Sequence, residues 1–306
     1  MSMRIVFLGT SGAIPTERRS LPATLLKRGN ELFLFDCGEG VQRQMIRAKI
    51  GFHKSMKVFL SHLHGDHVLG LPGLLQTMSL MDRKVKLEVY APKGVKHFLE
   101  GIEESLQYGL TFPLEIHEIL HAGKVCNESD YLVESTWASH VRSALAYAFI
   151  EKPRPGKFYP HKARALAVPE GVLWSRLQHG EAVTLPNGRS ILPEEVTGPL
   201  RLGRKIVYTG DTRPFRGFAK FASGADLLIH EATFDDTLSD KASEDGHSTP
   251  GQAALQAKKA KAKMLVLVHM SARYSDTCLL LEQAQKVFSD VVVAEDFMEI
   301  ELPLGE

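Results

Sequence analysis

Short apolar runs separated by turn-forming residues recur along the chain. Residues 5–8, 31–35, 57–60 and 86–90 in the first half have the length and the β-branched or aromatic content of strands, as do 132–136, 205–209, 226–229, 264–268 and 291–294 in the second. Between some of them, apolar residues return at spacings of three and four over 40–48 and 69–81, the signature of a helix with one buried face. Residues 92–107 open with Pro92, a residue suited to a first helical turn, and 249–261 and 277–288 complete the predicted helices. Strands and helices mingle without a strict strand–helix–strand alternation. The pattern therefore predicts an α/β protein in which mixed sheets are covered by helices.

Residues 151–200 break this rhythm. Pro153, Pro155, Gly156, Pro160, Pro169, Gly171, Gly180, Pro186, Gly188 and Pro193 punctuate a stretch with little periodic apolar pattern. We read 151–195 as a protruding insertion in a single domain that takes in the whole of 1–306. Over 152–180 it carries Lys152, Arg154, Lys157, Lys162, Arg164 and Arg176 against Glu170 alone, a local balance of +5. Phe158, Tyr159 and Trp174 are interleaved with these charges, a combination that suits phosphates and unstacked bases. A solvated loop with a small hydrophobic anchor accounts for the same residues equally well.

Whole-chain composition narrows the function classes. The 306 residues are 44% hydrophobic, ample for a sizeable core, and 37 basic against 36 acidic side chains leave no overall field for a polyanionic partner, so any nucleic-acid footprint is local. Cys37, Cys126 and Cys278 are too few and too far apart for a disulfide framework or a thiolate zinc site, and reduced thiols in a cytoplasmic protein are expected. The N-terminal residues lack the basic and apolar regions of a signal peptide, and no run approaches 18 apolar residues, so no membrane partner is expected.

The chemistry announces itself directly after the predicted strand 57–60. His62-Leu63-His64-Gly65-Asp66-His67 places three imidazoles and a carboxylate in six positions, with Gly65 offering a sharp bend, and no packing argument asks for such polarity there. Such a cluster points to a metal site, and to two ions if further donors stand at the ends of other strands. They do: His140 follows 132–136, Asp211 follows 205–209 and His269 follows 264–268. Asp211 is the natural bridge because a carboxylate has two oxygens. The nitrogen and oxygen donors favour Zn2+, with Mn2+ or Fe2+ compatible. Two such cations, about 3.5–4 Å apart, would activate water and offset charge on both oxygens exchanged in a phosphodiester hydrolysis. No phosphate-binding glycine loop is present, so a nucleotide cofactor is not expected.

Two further pieces surround this centre, His230-Glu231-Ala232-Thr233 and His247-Ser248-Thr249. A departing ester oxygen needs a proton, which an imidazole oriented by a carboxylate supplies near neutral pH; we expect His247 to donate and Glu231 to orient it. Ser248 or Thr249 can also cap the helix that follows.

The H-x-H-x-D-H cluster with distal His, Asp and His resembles the metallo-β-lactamase superfamily. Within it, 35–40, 61–75, the His230 and His247 pieces and His269-Met270-Ser271-Ala272-Arg273-Tyr274 resemble the ribonuclease Z family, endonucleases that mature transfer RNA at its 3′ end. The resemblance implies an αββα sandwich, two zinc ions per subunit and a precursor tRNA substrate. It implies that His62, His64 and His140 hold one zinc, that Asp66, His67 and His269 hold the second, that Asp211 bridges them, and that Asp66 also accepts the proton from water. The basic insertion is similar to the family's arm, which grips the tRNA body and, in a homodimer, serves the partner's active site.

Where the family has P-x-K-x-R-N in a loop associated with sensing the CCA end, this chain reads Pro15-Thr16-Glu17-Arg18-Arg19-Ser20. Pro15 and Arg19 fit that loop, Glu17 and Ser20 depart from it, and Arg18 and Arg19 are candidate phosphate contacts. Asp36 is expected to hydrogen-bond to the ligand loop. The metal ligands alone do not choose among hydrolases of this fold, so a lactonase, an arylsulfatase or a small phosphodiesterase is the competing reading, and an RNA-binding protein with a degenerate site is a more distant one.

Overall fold

The computed structural model describes residues 2–140 and 143–304, which divide into two compact units. The larger, which includes Leu132–Ile150 and Lys205–Pro303 besides the chain up to Asn127, is built on two seven-stranded sheets. In the first sheet the order is Glu299–Leu302, Met3–Gly9, Ala23–Arg28, Glu31–Phe35, Ser55–Phe59, Leu87–Pro92 and Leu114–Ile119. It is antiparallel as far as Glu31–Phe35 and parallel beyond. In the second, Val291–Val293, Leu265–Val268, Leu227–Glu231 and Lys205–Tyr208 run parallel, and Ala144–Glu151 then pairs antiparallel with Lys205–Tyr208. Tyr131–Ala138 and Gly123–Asn127 complete it.

Period two along these strands sorts their side chains into layers. Val6, Leu8, Leu25, Leu32, Leu34, Val58 and Val89 face the helices Val41–Arg47, Gly70–Leu80 and Val95–Leu106, whose Met45, Leu71, Leu74, Met78 and Leu99 pack on them. The alternate residues Phe33, Phe35 and Phe59 meet Tyr147, Phe149 and Tyr208 of the second sheet, with ring centroids 4.9–6.2 Å apart. Each buried ring contributes about 1.5–3 kcal/mol from area alone. On the far side of the second sheet, Leu228, Leu265 and Leu267 pack against an alanine-rich helix, Pro250–Ala260. The central strands of both sheets are therefore buried on both faces, helix–sheet–sheet–helix, and their apolar runs are continuous for that reason.

Two local expectations change. Pro92 ends the strand Leu87–Pro92, paired with Ile119, and does not open a helix. The helix starts at Val95 after Gly94 (φ +108°), and Glu118 of the neighbouring strand accepts hydrogen bonds from the Gly94 and Lys96 amides. A start signal supplied by a residue 24 positions away is invisible locally. Gly65, expected to permit a sharp bend, lies in the one-turn helix Gly65–Val68 with no left-handed φ. The close approach falls instead at Gly70, where a Cβ would sit 2.0 Å from the Gly38 carbonyl oxygen.

The second unit, built on Glu128–Tyr131 and Glu151–Arg204, has helices Pro160–Ala165, Val172–Gln178 and Pro193–Val196 and a ribbon of Val183–Thr184 with Ser190–Ile191. Ala163, Val168, Leu177, Val183, Leu185, Ile191 and Val196 form its own small core, with Phe158 and Trp174 at the margin. Where this segment begins and ends, Glu151 and Arg204 form a buried two-pronged ion pair of 2.7 and 2.9 Å.

Candidate metal centre

Loops at the ends of strands from both sheets bring the seven predicted donors together in two groups. One donor atom each from His62, His64, His140 and Asp211 lie within 4.8 Å of one another, and so do those of Asp66, His67 and His269. In the second group His67 Nε2 is 3.3 Å from His269 Nε2, and Asp66 Oδ2 is 3.4 Å from each. In the first, His140 Nε2 and His64 Nδ1 are 3.4 Å apart and His62 Nε2 is 3.6 Å from Asp211 Oδ2. Asp211 also lies 3.3 Å from His67 through Oδ2 and 3.3 Å from His269 through Oδ1, so it borders both groups.

These spacings fit a bound cation. A tetrahedral ion with bonds of about 2.0–2.1 Å holds neighbouring donors about 3.3–3.4 Å apart. His62 Nε2 and Asp211 Oδ1 are buried without a hydrogen-bond partner, a costly condition that a cation relieves. Burial pushes the His62, His64 and His140 imidazoles below their ordinary pKa, so their lone pairs are free at neutral pH. Burial opposes ionisation of Asp66, but hydrogen bonds from His269 and His67 hold it well below the carboxylate range.

A second ring of groups aims these donors. The buried carboxylate of Asp36, a non-glycine residue at φ +57°, accepts from the Ser61 amide (2.6 Å), the Ser61 hydroxyl (2.8 Å), His67 Nδ1 (2.7 Å) and the Tyr208 hydroxyl (2.7 Å). This is the role read for it in the sequence. His140 Nδ1–H donates to the Gly246 carbonyl (2.8 Å), which leaves Nε2 as the donor toward the centre. Thr233 donates its hydroxyl to Glu231 (2.8 Å) and so accepts from His269 Nδ1–H (2.8 Å), orienting that ring in turn. His269 itself sits at φ +60°, and Gly12 lies so close that a Cβ there would be 2.6 Å from the imidazole.

His247 stands beside the donors, its ring stacked on that of His269 at 5.4 Å. Its Nδ1 meets Glu231 Oε1 at 3.0 Å. Glu231 is fixed in its turn by the Thr212, Thr233 and Ser248 amides. Burial lowers the His247 pKa, yet the Glu231 carboxylate overcomes this and raises it to about 9. Thr249 caps the next helix through a reciprocal pair with Gln252. The positions not anticipated are Thr233, the Gly246 carbonyl and the Ala13 amide, which donates to Asp66 Oδ2 (2.9 Å). Thr233 lies in a box the sequence singled out; the other two are backbone groups without a residue-type signal.

The candidate RNA contacts divide. Arg18 and Arg19 line a cavity of about 830 Å³ with Tyr274, Asp276 and Asp296, and Arg19 donates inward to Thr10 and the Ala294 carbonyl. In the second unit Lys157 and Lys162 are exposed, whereas Arg164 and Arg176 pair with Glu170 and Glu181. Lys152 donates to the Glu128 carbonyl, and the Arg154 Nε is buried without a partner.

A two-sheet α/β sandwich with clustered His and Asp donors beyond its strand ends defines a divalent-metal hydrolase of the metallo-β-lactamase fold. The comparisons agree: the family "Anti-Pycsar protein Apyc1" matches residues 3–148 and the "Beta-lactamase superfamily domain" matches 181–270. Ribonuclease Z of Methanosarcina acetivorans is 46% identical over 303 residues, 98% of both chains, and that of Methanosarcina mazei 44% over 302 residues, again 98% of both. The crystal structure of human tRNase Z, short form, superposes with a TM-score of 0.74 at 31% identity, covering 98% of this chain and 100% of that one. The chain belongs to the ribonuclease Z family. No helix among the described residues is long and apolar enough to cross a membrane.

Proposed function

We propose that the protein removes the 3′ trailer from precursor tRNA by metal-dependent phosphodiester hydrolysis, leaving a 3′-hydroxyl on the tRNA and a 5′-phosphate on the trailer. The observation that carries this reading is the convergence of seven donors, two of their atoms buried and unpartnered, in a chain that matches ribonuclease Z enzymes over nearly its full length. His62, His64 and His140 would hold one Zn2+, Asp66, His67 and His269 the other, with Asp211 between. Bound there, two dications would make water a nucleophile at neutral pH and offset the charge of the reacting phosphate.

The chain's own residues supply the rest. Asp66, ionised at neutral pH and fixed by the Ala13 amide, would take the proton from the attacking water. His247, kept protonated by Glu231, delivers a proton to the departing 3′ oxygen. Exposed Lys157 and Lys162 contribute phosphate contacts to the body of the precursor. We propose a homodimer as the working form, by analogy with the family, and a reducing, cytoplasmic setting, which fits three cysteines with no disulfide between them.

The test is incubation with a precursor tRNA carrying a 3′ trailer, with and without a chelator, followed by sequencing of the ends. Chelator-sensitive release of an intact trailer is expected. Hydrolysis of small esters alone, with the precursor untouched, would favour another hydrolase of this fold.

A further inference from the structure

The loop between Thr10 and Ser20 touches the metal-facing donors, and one carboxylate far along the chain closes both of its ends. Asp296 Oδ1 accepts from the Thr10 hydroxyl (2.8 Å), and Oδ2 accepts from the Ser20 amide (2.7 Å) and from Gln44 Nε2 (3.0 Å). Arg19 reinforces the closure, donating to Thr10 Oγ1 (2.7 Å) and to the Ala294 carbonyl. The Ser11 amide donates to the Ser20 carbonyl across the neck (2.9 Å). Within the loop so closed, Ala13 adopts φ +59° and aims its amide at Asp66 Oδ2 (2.9 Å), the same oxygen that lies 3.4 Å from His67 and His269. Gly12 abuts the His269 ring, and the Met270 amide, one residue on, donates to the Thr10 carbonyl (3.1 Å). No comparable contact from this loop to His62, His64 or His140 appears among the described residues.

We propose that Asp296 is a positioning residue for one of the two cation sites: by holding the Thr10–Ser20 loop closed, it sets Asp66 and His269 and thereby the affinity of the Asp66–His67–His269 group, while leaving the His62–His64–His140 group unchanged. This inference rests on the dimetal reading given above. A left-handed alanine is an unfavourable conformation for a non-glycine residue, and it persists only where the surroundings over-determine it. Charge-assisted bonds from the half-buried Asp296 carboxylate to both ends of the loop provide that constraint. Supporting groups around ligands typically change metal affinity ten- to hundredfold.

The experiment is zinc titration of the metal-free full chain, wild type against Asp296→Ala, Asp296→Asn and Thr10→Val, with hydrogen exchange of segment 10–20 measured on the same metal-free proteins. Two equivalents are expected for the wild type. In Asp296→Ala one equivalent should weaken by about tenfold or more with the other unchanged, and the loop should exchange faster. Asp296→Asn, which keeps one acceptor oxygen, and Thr10→Val, which removes the Asp296 and Arg19 bonds at one end of the loop but leaves the Ser20 bond, should fall in between; Thr10→Val carries the test if Asp296→Ala does not fold. Unchanged titrations in the variants, or equal weakening of both equivalents, would overturn the positioning role. A wild type that takes up fewer than two equivalents would overturn the dimetal reading itself and this inference with it.

Discussion

The Nδ1 of His67 donates to the carboxylate of Asp36 across 2.7 Å, although 31 positions separate them and both side chains are fully buried. That bond decides which nitrogen of His67 is left for a cation, and Asp36 extends the same control to Ser61 and Tyr208. Replacing Asp36 by alanine removes the acceptor for four donors at once. We expect zinc affinity to fall by about ten- to hundredfold, and stability to fall by about 1–3 kcal/mol for each donor left unpaired. Zinc titration and thermal unfolding of Asp36→Ala check both; an unchanged Tm would show that water satisfies these groups.

Removal of the metal should abolish cleavage, and re-addition of Zn2+ should restore it. Asp211 borders both donor groups, so Asp211→Asn should lower kcat/KM for precursor tRNA by more than about a hundredfold and reduce the bound metal. Metal analysis paired with a cleavage assay reads this. Full activity after exhaustive chelation would contradict it.

His247→Ala is expected to lower kcat by about 10²–10⁴-fold while metal content stays that of the wild type. Loss of metal in step with activity would make His247 a ligand instead, an arrangement that its closeness to Asp211 and His269 permits.

The protonated form of His247 is the one proposed to act, so activity is present below its pKa and declines as pH rises through it. With a pKa near 9 in the absence of cations, and lower beside them, the alkaline limb of kcat/KM should lie no higher than about pH 9. Glu231 is what raises this pKa. Glu231→Gln should therefore move the limb to lower pH, and an unmoved limb would assign it to another group.

In the second unit, Lys157→Ala with Lys162→Ala should weaken precursor binding and flatten its salt dependence, by about one charge-equivalent of slope for each lysine that contacts phosphate. Turnover of bis(p-nitrophenyl) phosphate should be unaffected. Filter binding across a salt series separates this from a general loss of folding.

How far the sequence spoke for itself depended on whether a signal was local. The end of Ser55–Phe59, with Leu60, and Leu265–Val268 were legible because a strand stretch buried on both faces is an apolar run, and the donors that follow them stand out against it. Ala23–Arg28 was not anticipated, since Ala-Thr-Leu-Leu-Lys-Arg carries no alternation and its residues suit a helix as well; the sheet decides. Helices Pro160–Ala165 and Val172–Gln178 were hidden by the prolines and glycines that start and separate them. At the centre, side chains with metal-binding chemistry could be named from their types. The Ala13 amide and the Gly246 carbonyl could not, because any residue presents the same backbone and only the folded loop aims it.

The order in which the donors occur along the chain has a consequence for biosynthesis. Synthesis proceeds from the N-terminus, and His62, His64, Asp66 and His67 are made long before Asp211 and His269. On the proposed reading the first donor group is not complete until Asp211 has been made and the second not until His269, so full enclosure of a cation would wait for the strands of the second sheet.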